Sequence, residues 1–357
     1  MKKKVKQPLV EVMVLSYNNK NLLDRCLASL KKAKYDNLII TVIDNASHEE
    51  VLRMVRKKYP SVNLIANKEN LGFSKGYNEV LKKTKSKYAI LLNDDTEQEP
   101  NWISELVNFA EKHENASALQ PKFKDLRNKK MFEYAGAVGG YMDIYGYPVC
   151  RGRIFDNIEE DKGQYEDVRG IFWSCGGAML LRVSVLRKIG YLDEVMESYA
   201  EELDLCWRMQ LSGYEQYSIP SSIIYHLGTG SWGKKKLRFK KEFLIHRNHW
   251  IALFKNYERK TWFRIMPFKI VLETAAFFGF LFKNPIKSAA VLKANIWIAI
   301  HIPLLNEMNK QTSKIRKIDD KEIMKKMINR SVAIDQFILG NKRKFSEYTR
   351  FIENYKN

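Results

Sequence analysis

Residues 88–96, YAILLNDDT, carry five apolar residues in a row and then end in an amide and two carboxylates. An uninterrupted apolar run that stops at a polar turn is typical of a strand buried on both faces of a parallel sheet. Similar runs with polar ends precede it at residues 9–19, 38–47 and 62–72, and segments with helical spacing lie between them. This alternation predicts an α/β fold with a mostly parallel sheet flanked by helices.

The pattern changes further along the chain. Residues 121–172 are rich in Gly, Tyr and Asp without clear periodicity, and we interpret them as hairpins and loops. Residues 175–190 predict a strand that runs into a helix, and residues 199–213 predict a helix that ends at Gly213. Long helices with basic flanks follow after about residue 235. We therefore expect an α/β domain at residues 1–235 and a basic C-terminal helical region at residues 236–357.

The charge of the chain is concentrated in this second part. The 357 residues contain 61 Lys and Arg against 41 Asp and Glu, a formal charge of +20. Residues 231–357 hold 28 Lys and Arg against 10 Asp and Glu, or +18, which leaves +2 for residues 1–230. Such a basic region suits nucleic acid, an anionic membrane surface, or no specific partner.

The cysteines and the start of the chain bear on its location. Cys26, Cys150, Cys175 and Cys206 are widely spaced and form no C-x-x-C pair, which disfavours a zinc knuckle or a disulfide scaffold. A reducing, cytoplasmic compartment fits this usage. The N-terminus is basic, but Glu11 interrupts the apolar run that follows. We therefore expect a β-strand there instead of a signal peptide.

The sequence Asn93-Asp94-Asp95 stands where the strand at residues 88–92 ends. Adjacent carboxylates at the carboxyl end of a strand concentrate negative charge, which a divalent cation would neutralise. Asp44, which ends the second predicted strand, could accept a hydrogen bond from a base or a ribose hydroxyl. In both places the alternative interpretation is a helix cap with acidic residues in the first turn.

A second acidic cluster, Glu201-Glu202-Leu203-Asp204, lies in a predicted helix with many apolar residues. Clustered carboxylates in such a helix favour a raised pKa and a general base, whereas a solvated helix face is the plainer alternative. His226 ends another apolar run; it is either structural or, together with Asp95, part of a metal site. The spacing Gly72-x-x-x-Gly76 matches neither the dinucleotide fingerprint nor the phosphate loop of NTPases.

Eight segments, taken in order, carry a family resemblance: SYNN, VIDNAS, ENLGFSKGYN, LLNDDT, CGGAMLLR, GYLDE, YAEELDLCWR and YHLGTGS. Together they resemble an inverting family 2 glycosyltransferase of the GT-A fold, and most of all its rhamnosyltransferase-like branch. The resemblance spans roughly residues 9–232. It implies an enzyme that moves a sugar from a nucleoside diphosphate donor to a hydroxyl group in the synthesis of cell-surface polysaccharide.

The resemblance also implies a role for each matching position. The nucleotide and donor sugar would be bound by eight residues: Ser16, Asn18, Asp44, Gly72, Gly76, Asn78, Asn93 and Asp94. Asp95 and His226 would bind Mg²⁺ or Mn²⁺, and Glu202, more than Glu201, would be the general base. The sequence departs from the family pattern at Asn93, the first position of the D-x-D motif, and at Glu202, where the family has Asp.

The substrates are less defined than the reaction. By resemblance the donor is TDP-rhamnose, with a UDP-sugar as the alternative, and the acceptor is a glycan or a lipid-linked sugar. A nucleotidyltransferase, or a non-catalytic protein that binds sugar nucleotides or glycans, is the alternative function. The oligomeric state stays open.

The basic region contains two apolar segments that bear on the choice of partner. One has a stripe from which Lys269 and Glu273 are excluded, formed by Ile270, Thr274, Phe277, Phe278 and Leu281. The other, residues 285–305, contains two lysines. Neither reaches about 20 uninterrupted apolar residues, so a helix lying in the interface of an anionic membrane is favoured over a spanning helix. Simple packing on the α/β domain is the alternative; no nucleic-acid motif is apparent. We therefore expect a peripheral protein on the cytoplasmic face of the membrane.

Overall fold

The computed structural model describes residues 7–228, 235–341 and 343–356. The Lys-rich start of the chain and residues 229–234, which include the end of the YHLGTGS segment, lie outside the described residues.

The strands of the described chain all lie in its first part. They are β1 (Val10–Ser16), β2 (Leu38–Asp44), β3 (Asn63–Ala66), β4 (Tyr88–Asn93), β5 (Thr96–Gln98), β6 (Ala116–Asp125), β7 (Gly140–Met142), β8 (Pro148–Cys150), β9 (Arg153–Ile154), β10 (Asn157–Ile158), β11 (Arg169–Ile171), β12 (Ala178–Arg182) and β13 (Glu215–His226).

Helices alternate with these strands and then dominate the second part. They are α1 (Lys20–Leu30), α2 (Glu49–Lys58), α3 (Gly72–Leu81), α4 (Trp102–Lys112), α5 (Val183–Ile189), α6 (Glu201–Leu211), α7 (Lys235–Asn256), α8 (Arg259–Leu281), α9 (Pro285–Ile300), α10 (Ile302–Ile315) and α11 (Asp320–Met324). Short 3₁₀ turns at Glu194–Met196 and near the C-terminus, and a π-helical turn at Ile334–Ile338, complete the secondary structure.

The central sheet has nine strands. Eight follow the order β11-β13-β6-β12-β4-β1-β2-β3, and β5 pairs with β13. The four strands predicted from the apolar runs, β1 to β4, are parallel to one another. β12 is antiparallel to both of its neighbours, β4 and β6, whereas β6 and β13 are parallel to each other. Most strands thus point the same way, and the predicted α/β fold with a mostly parallel sheet is confirmed.

Burial explains why the first strands form the centre of the sheet. Val10, Val12, Met13 and Val14 of β1 have no exposed surface, because helices cover both faces of the sheet. The register pairs Ser16 with Asp44 and Leu15 with Asn93. The polar ends of β1, β2 and β4 therefore meet at one edge, as expected for parallel strands.

The segment predicted as hairpins and loops contains a second sheet. β7 to β10 form four short antiparallel strands in the order β10-β9-β8-β7. The buried carboxylate of Asp143, directly after β7, accepts hydrogen bonds from the backbone N–H groups of Tyr145, Tyr147 and Val332. The small sheet is thereby joined to the C-terminal part of the chain.

Two oppositely charged residues of helix α8 lie on its buried side. Lys269 and Glu273 are almost completely buried and form an ion pair of 2.8 Å, and Nδ1 of His246 lies 2.7 Å from Oε2 of Glu273. Burial alone would raise the pKa of Glu273, but Lys269 and His246 outweigh it and lower that pKa. Since Lys269 and Glu273 face inward, the apolar stripe of α8 is left on the outside of the molecule.

The length and hydropathy of the helices were compared with those of membrane spans. No single helix within the described ranges is long and apolar enough to cross a bilayer. Helices α9 and α10 together have the length and composition of a membrane span, but they are bent by 74° at the break between them.

The buried ion pair of α8 gives a prediction about stability. Replacing Glu273 with Gln leaves the ammonium of Lys269 buried without its counter-charge, and we expect a loss of about 3 kcal/mol in the free energy of unfolding. Adding Lys269→Met in that background should recover most of the loss. Urea unfolding measures both changes; Glu79→Gln, which breaks the exposed Glu79–Lys83 pair, is the control and should cost less than about 1 kcal/mol. Equal costs for Glu273→Gln and Glu79→Gln would contradict the prediction.

Candidate active site

The predicted site residues at the ends of β1 and β4 lie in direct contact. The hydroxyl of Ser16 donates a 2.7 Å hydrogen bond to Asp94, and the amide of Asn19 donates a second, of 3.3 Å, to the other oxygen of the same carboxylate. Burial raises the pKa of Asp94 to about 7, with a further contribution from the charge of Asp95. Asp94 is thus held by the protein itself and positions the loop that carries Asp95.

Asp95 and His226, predicted as metal ligands, are also brought together. Nε2 of His226 lies 3.0 Å from Oδ1 of Asp95 and 3.5 Å from the amide nitrogen of Asn93. Burial alone would lower the pKa of His226, but the carboxylates of Glu133 and Asp95 raise it to about 10. For Asp95 the contact with His226 outweighs burial and lowers the pKa. The contact between His226 and Asp95 holds the end of β13 against the loop that follows β4.

Glu133 is a site residue that the sequence did not reveal. Its Oε1 lies 3.2 Å from Nδ1 of His226, and its Oε2 accepts hydrogen bonds from the backbone N–H groups of Ala135 and Gly136. A Cβ at Gly228, where φ is +63°, would lie 2.8 Å from Oε1 of Glu133. Glu133 therefore orients the imidazole, and its Oε1 lies so close to Gly228 that a side chain at that position would crowd it. It lies in the segment predicted as loops, and no local motif marks it.

The fit of a divalent cation can be judged from these side chains. Among the described residues, no three His, Cys, Asp or Glu side chains are grouped so that they could hold a metal ion. Asp95 and His226 offer two ligands on one side, provided that the cation displaces the proton which Glu133 and Asp95 favour on the imidazole. Mg²⁺ is commonly bound in this way, by one or two protein ligands together with substrate phosphates and water. The residues present fit a cation that is bound jointly with a phosphorylated ligand.

Asp44 and Asn18 lie at the neighbouring end of β2. One carboxylate oxygen of Asp44 accepts a hydrogen bond of 2.9 Å from the backbone N–H of Ser47, while the other is buried and has no partner. Asn18, with φ of +57°, accepts from the backbone N–H of His48. An open groove of about 470 Å³ begins at Asn18 and follows the start of α1, beside the Asp95 pair and not over it. The free oxygen of Asp44 is the acceptor that a ligand could use.

The predicted site residues of α3 have clear contacts within the protein. Gly72 begins the helix with φ of +73°, and a Cβ at Gly76 would lie 3.0 Å from the side chain of Leu15. The amide of Asn78 bonds the backbone of Leu192 in both directions and also donates to Glu194. Gly76 and Asn78 thus fix α3 against β1 and the segment at 192–194. Their predicted place in a nucleotide pocket stays a prediction.

The two glutamates at the start of α6 differ in exposure. Glu201 is buried, whereas Glu202 is half-buried and lies beside Gly176, where an added Cβ would be 3.7 Å from Cβ of Glu202. The next residue, Gly177, accepts a hydrogen bond of 3.0 Å from the backbone N–H of Asn93. Burial raises the pKa of both glutamates, and the charge of Glu202 raises that of Glu201 further. The chain at Gly176 and Gly177 thus links the start of α6 to the end of β4.

The chain was compared with known protein families and structures. The model for glycosyl transferase family 2 matches residues 11–190. An uncharacterized glycosyltransferase of Haemophilus influenzae is 29% identical over 42% of this chain, and the match spans about half (49%) of that relative's length. An N-acetylglucosaminyl-diphospho-decaprenol L-rhamnosyltransferase of Mycobacterium tuberculosis is 24% identical over 63% of this chain and 78% of its own.

A solved structure resembles the chain in fold. GalNAc-T7, crystallised with UDP, GalNAc and Mn²⁺, matches with a TM-score of 0.57 and 15% identity, covering 81% of this chain and 54% of that one. The similarity supports the GT-A fold that the sequence predicted. Because the family model covers half of its residues, this chain belongs to glycosyl transferase family 2, and within that family it is similar to rhamnosyltransferases.

Proposed function

We propose that this protein is an inverting glycosyltransferase that moves a sugar from a nucleoside diphosphate donor to an acceptor hydroxyl. The observation that carries the proposal is the hydrogen bond between Gly177 and Asn93, since it joins the chain beside Glu202 to the edge that holds Asp95 and His226. The proposed base and the proposed cation site then flank the same polar edge. The unpartnered oxygen of Asp44 and the hydroxyl of Ser16 support binding of the nucleoside next to it.

Glu202 would act on the acceptor. A half-buried carboxylate with a raised pKa is a stronger base than a solvated one, and it can take the proton of the attacking hydroxyl as the new glycosidic bond forms. Attack opposite the leaving diphosphate inverts the anomeric carbon. The leaving group needs no proton, so no second carboxylic acid is required, in contrast to glycoside hydrolysis.

Asp95 and His226 would hold the cation. Mg²⁺ or Mn²⁺ bound there supplies positive charge that stabilises the departing nucleoside diphosphate. Glu133 orients His226 toward this position, as outer carboxylates commonly do for histidine ligands. Asn93 and Asp94 would lie against the ribose or the donor sugar.

TDP-rhamnose is the first choice of donor, and a UDP-sugar is the second. The similarity to a rhamnosyltransferase that uses a diphospho-decaprenol-linked acceptor supports a rhamnosyl donor and a glycan or lipid-linked acceptor, in the synthesis of a cell-surface polysaccharide. Purified protein incubated with TDP-rhamnose and with UDP-linked N-acetylglucosamine, galactose and galactofuranose, plus Mg²⁺ or Mn²⁺, would identify the donor by the release of nucleoside diphosphate. Release from none of them would contradict the proposal.

A membrane surface is the proposed site of action. Of the 18 large apolar residues that are exposed in the described chain, 14 lie between residues 263 and 339, so their exposure is concentrated in one part of the sequence. The lipid-facing surface comprises the exposed apolar residues of α8, of its C-terminal cap Phe282 and of α9: Phe263, Phe268, Ile270, Val271, Phe278, Phe282, Leu292, Ile296 and Ile300. Exposed cations flank it at Arg259, Lys260, Arg264 and Lys283.

This composition suits an anionic lipid interface, where apolar side chains insert and lysines and arginines meet the head groups. Outside this surface, Phe337 of the π-helical turn is a further exposed apolar residue: it packs on Phe155 at a ring distance of 4.8 Å and is 65% exposed. We place the protein at the cytoplasmic face of the membrane, where its four unpaired, buried cysteines would stay reduced.

The assignment of the base predicts that Glu202→Gln lowers turnover by about 10²-fold or more while TDP affinity changes little. Glu201→Gln is the control and should retain most of the activity. In the unaltered enzyme kcat should fall as the pH drops through a pKa above the ordinary Glu value of 4.5, because only the carboxylate accepts the proton. Near-normal turnover of Glu202→Gln would remove Glu202 from this role.

The metal site predicts that Asp95→Ala makes the binding of TDP insensitive to Mn²⁺. Calorimetric titration with and without Mn²⁺ measures the difference, which should be large for the unaltered protein and absent for the variant. Asp36→Asn, an exposed change far from the site, should behave as the unaltered protein does. If Asp95→Ala retains the Mn²⁺ effect, the cation is bound elsewhere.

The lipid-facing surface predicts that the double change Phe278→Asp and Phe282→Asp abolishes cosedimentation with vesicles that contain anionic phospholipid. The two aspartates remove apolar contact and repel the head groups, and donor hydrolysis in solution should be unaffected. Ile65→Asp with Val168→Asp alters two exposed apolar residues outside this surface and should leave cosedimentation intact. Equal loss in both double variants would count against the assignment.

A further inference from the structure

The segment directly before Glu201 and Glu202 has an unfavourable backbone conformation. Glu197, Tyr199 and Ala200 have φ values of +58°, +70° and +65°, in the left-handed region that non-glycine residues rarely adopt. Such a conformation is unfavourable and persists only where surrounding contacts enforce it. Since Ala200 is the last residue before α6, this segment sets the direction in which the helix, and Glu202 with it, begins.

One side chain of the C-terminal helical region makes several of the contacts that hold this segment in its conformation. The amide nitrogen of Asn248, in α7, donates to the backbone carbonyls of Met196, Ser198 and Tyr199 at 2.6, 2.8 and 2.7 Å. Asn248 has no exposed surface. Backbone carbonyls from three of four consecutive residues thus bond the same carboxamide. This set of hydrogen bonds forms only when the segment has its observed conformation.

Arg247 extends the same contact. Its guanidinium donates to the backbone carbonyls of Val195 and Met196 at 2.8 and 3.2 Å, and its Nε donates to the side-chain oxygen of Asn248 at 2.9 Å. The orientation of the Asn248 carboxamide is therefore itself fixed, so that its nitrogen faces the carbonyls.

The opposite side of the segment contacts the proposed donor site. The carbonyl of Glu197 accepts a 3.0 Å hydrogen bond from the backbone N–H of Ser74 near the start of α3, and Asn78 of α3 bonds Leu192 and Glu194. The segment at 192–200 therefore bridges α3 and α6, with α7 closing it from outside.

Helix α7 holds α6 at a second point beyond Glu202. The buried carboxylate of Asp204 lies 3.0 Å from the ammonium of Lys255 and accepts a 2.8 Å hydrogen bond from the amide of Asn256. Both partners belong to α7. In the sequence, Glu202 thus lies between the segment at 196–199 and Asp204, both of which are bound to α7.

We propose that Asn248 is a positioning residue for Glu202. By fixing the carbonyls of Met196, Ser198 and Tyr199, it keeps the start of α6 in the orientation that directs the Glu202 carboxylate at the acceptor hydroxyl. This inference rests on the proposed function, in which Glu202 is the base. It makes the C-terminal helical region a part of the catalytic apparatus as well as the carrier of the lipid-facing surface.

The chain contains a close chemical match for a control. Asn309 of α10 is also buried, and its amide nitrogen also donates to three backbone carbonyls, those of Phe254, Lys255 and Tyr257, at 3.0 to 3.1 Å. Asn248→Asp and Asn309→Asp each replace this nitrogen with oxygen at nearly constant shape. Both should lower the midpoint of urea unfolding by similar amounts.

The expected difference lies in catalysis. With TDP-rhamnose as the probe and TDP release as the signal, Asn248→Asp should lower kcat at least tenfold, because a base displaced by about 1 Å loses much of its effect. Its affinity for TDP with Mn²⁺ should stay within about threefold. Asn309→Asp should retain kcat. If Asn248→Asp does not fold, Arg247→Gln is measured instead, since it removes the guanidinium contacts to Val195, Met196 and the side chain of Asn248.

A double variant separates positioning from general loss of structure. In the Glu202→Gln background, Asn248→Asp should cause less than a twofold further loss, since no base remains to be positioned. An undiminished further loss, a normal kcat for Asn248→Asp, or equal losses for Asn248→Asp and Asn309→Asp would overturn the inference. Full activity of Glu202→Gln alone would instead contradict the proposed function, so the two failures are distinguishable.

Discussion

The carboxylate of Asp204 has no exposed surface, and its charge is compensated by Arg208 of α6 and by Lys255 and Asn256 of α7. Burial alone would raise its pKa, but Lys255 and Arg208 lower it to about 2, so the group stays ionised. Removal of one partner from such a site leaves an uncompensated charge in the interior, which is strongly unfavourable. This requirement joins α6, which carries Glu202 in its first turn, to α7, and α9 and α10 pack on α7 in turn.

The parts of the fold that the sequence predicted are those governed by local pattern. Continuous apolar runs predict buried parallel strands, and β1 to β4 appear with their intervening helices as expected. The strands β7 to β10 have only two or three residues each, too few to show a period, and they pair with one another across short turns. The insertion of β12 between β4 and β6 is likewise a long-range choice without a local signal.

The same distinction applies to the site. Asp95 and His226 are 131 positions apart in sequence, and their contact was expected only because the order of motifs resembles a known family. Glu133 and Asn248 belong to no motif, since each acts through the backbone or the imidazole of a distant residue. The position of these residues in the sequence does not indicate which distant residues they contact. Asn78 shows the reverse case, where a residue inside a motif has its amide engaged by the protein's own backbone.

The inward-facing pair of Lys269 and Glu273 has a further consequence. It prevents rotation of α8 about its own axis, because any roll would bring a charged side chain out of its ion pair. A helix with a fixed roll can meet a flat lipid layer in one orientation only. If α8 meets lipid as proposed, the α/β domain would stand at a single angle to the bilayer, and Glu202 would have a set height above the head groups. The reach of the proposed base toward a lipid-linked acceptor would then depend on the Lys269–Glu273 salt bridge, which belongs to a different part of the chain.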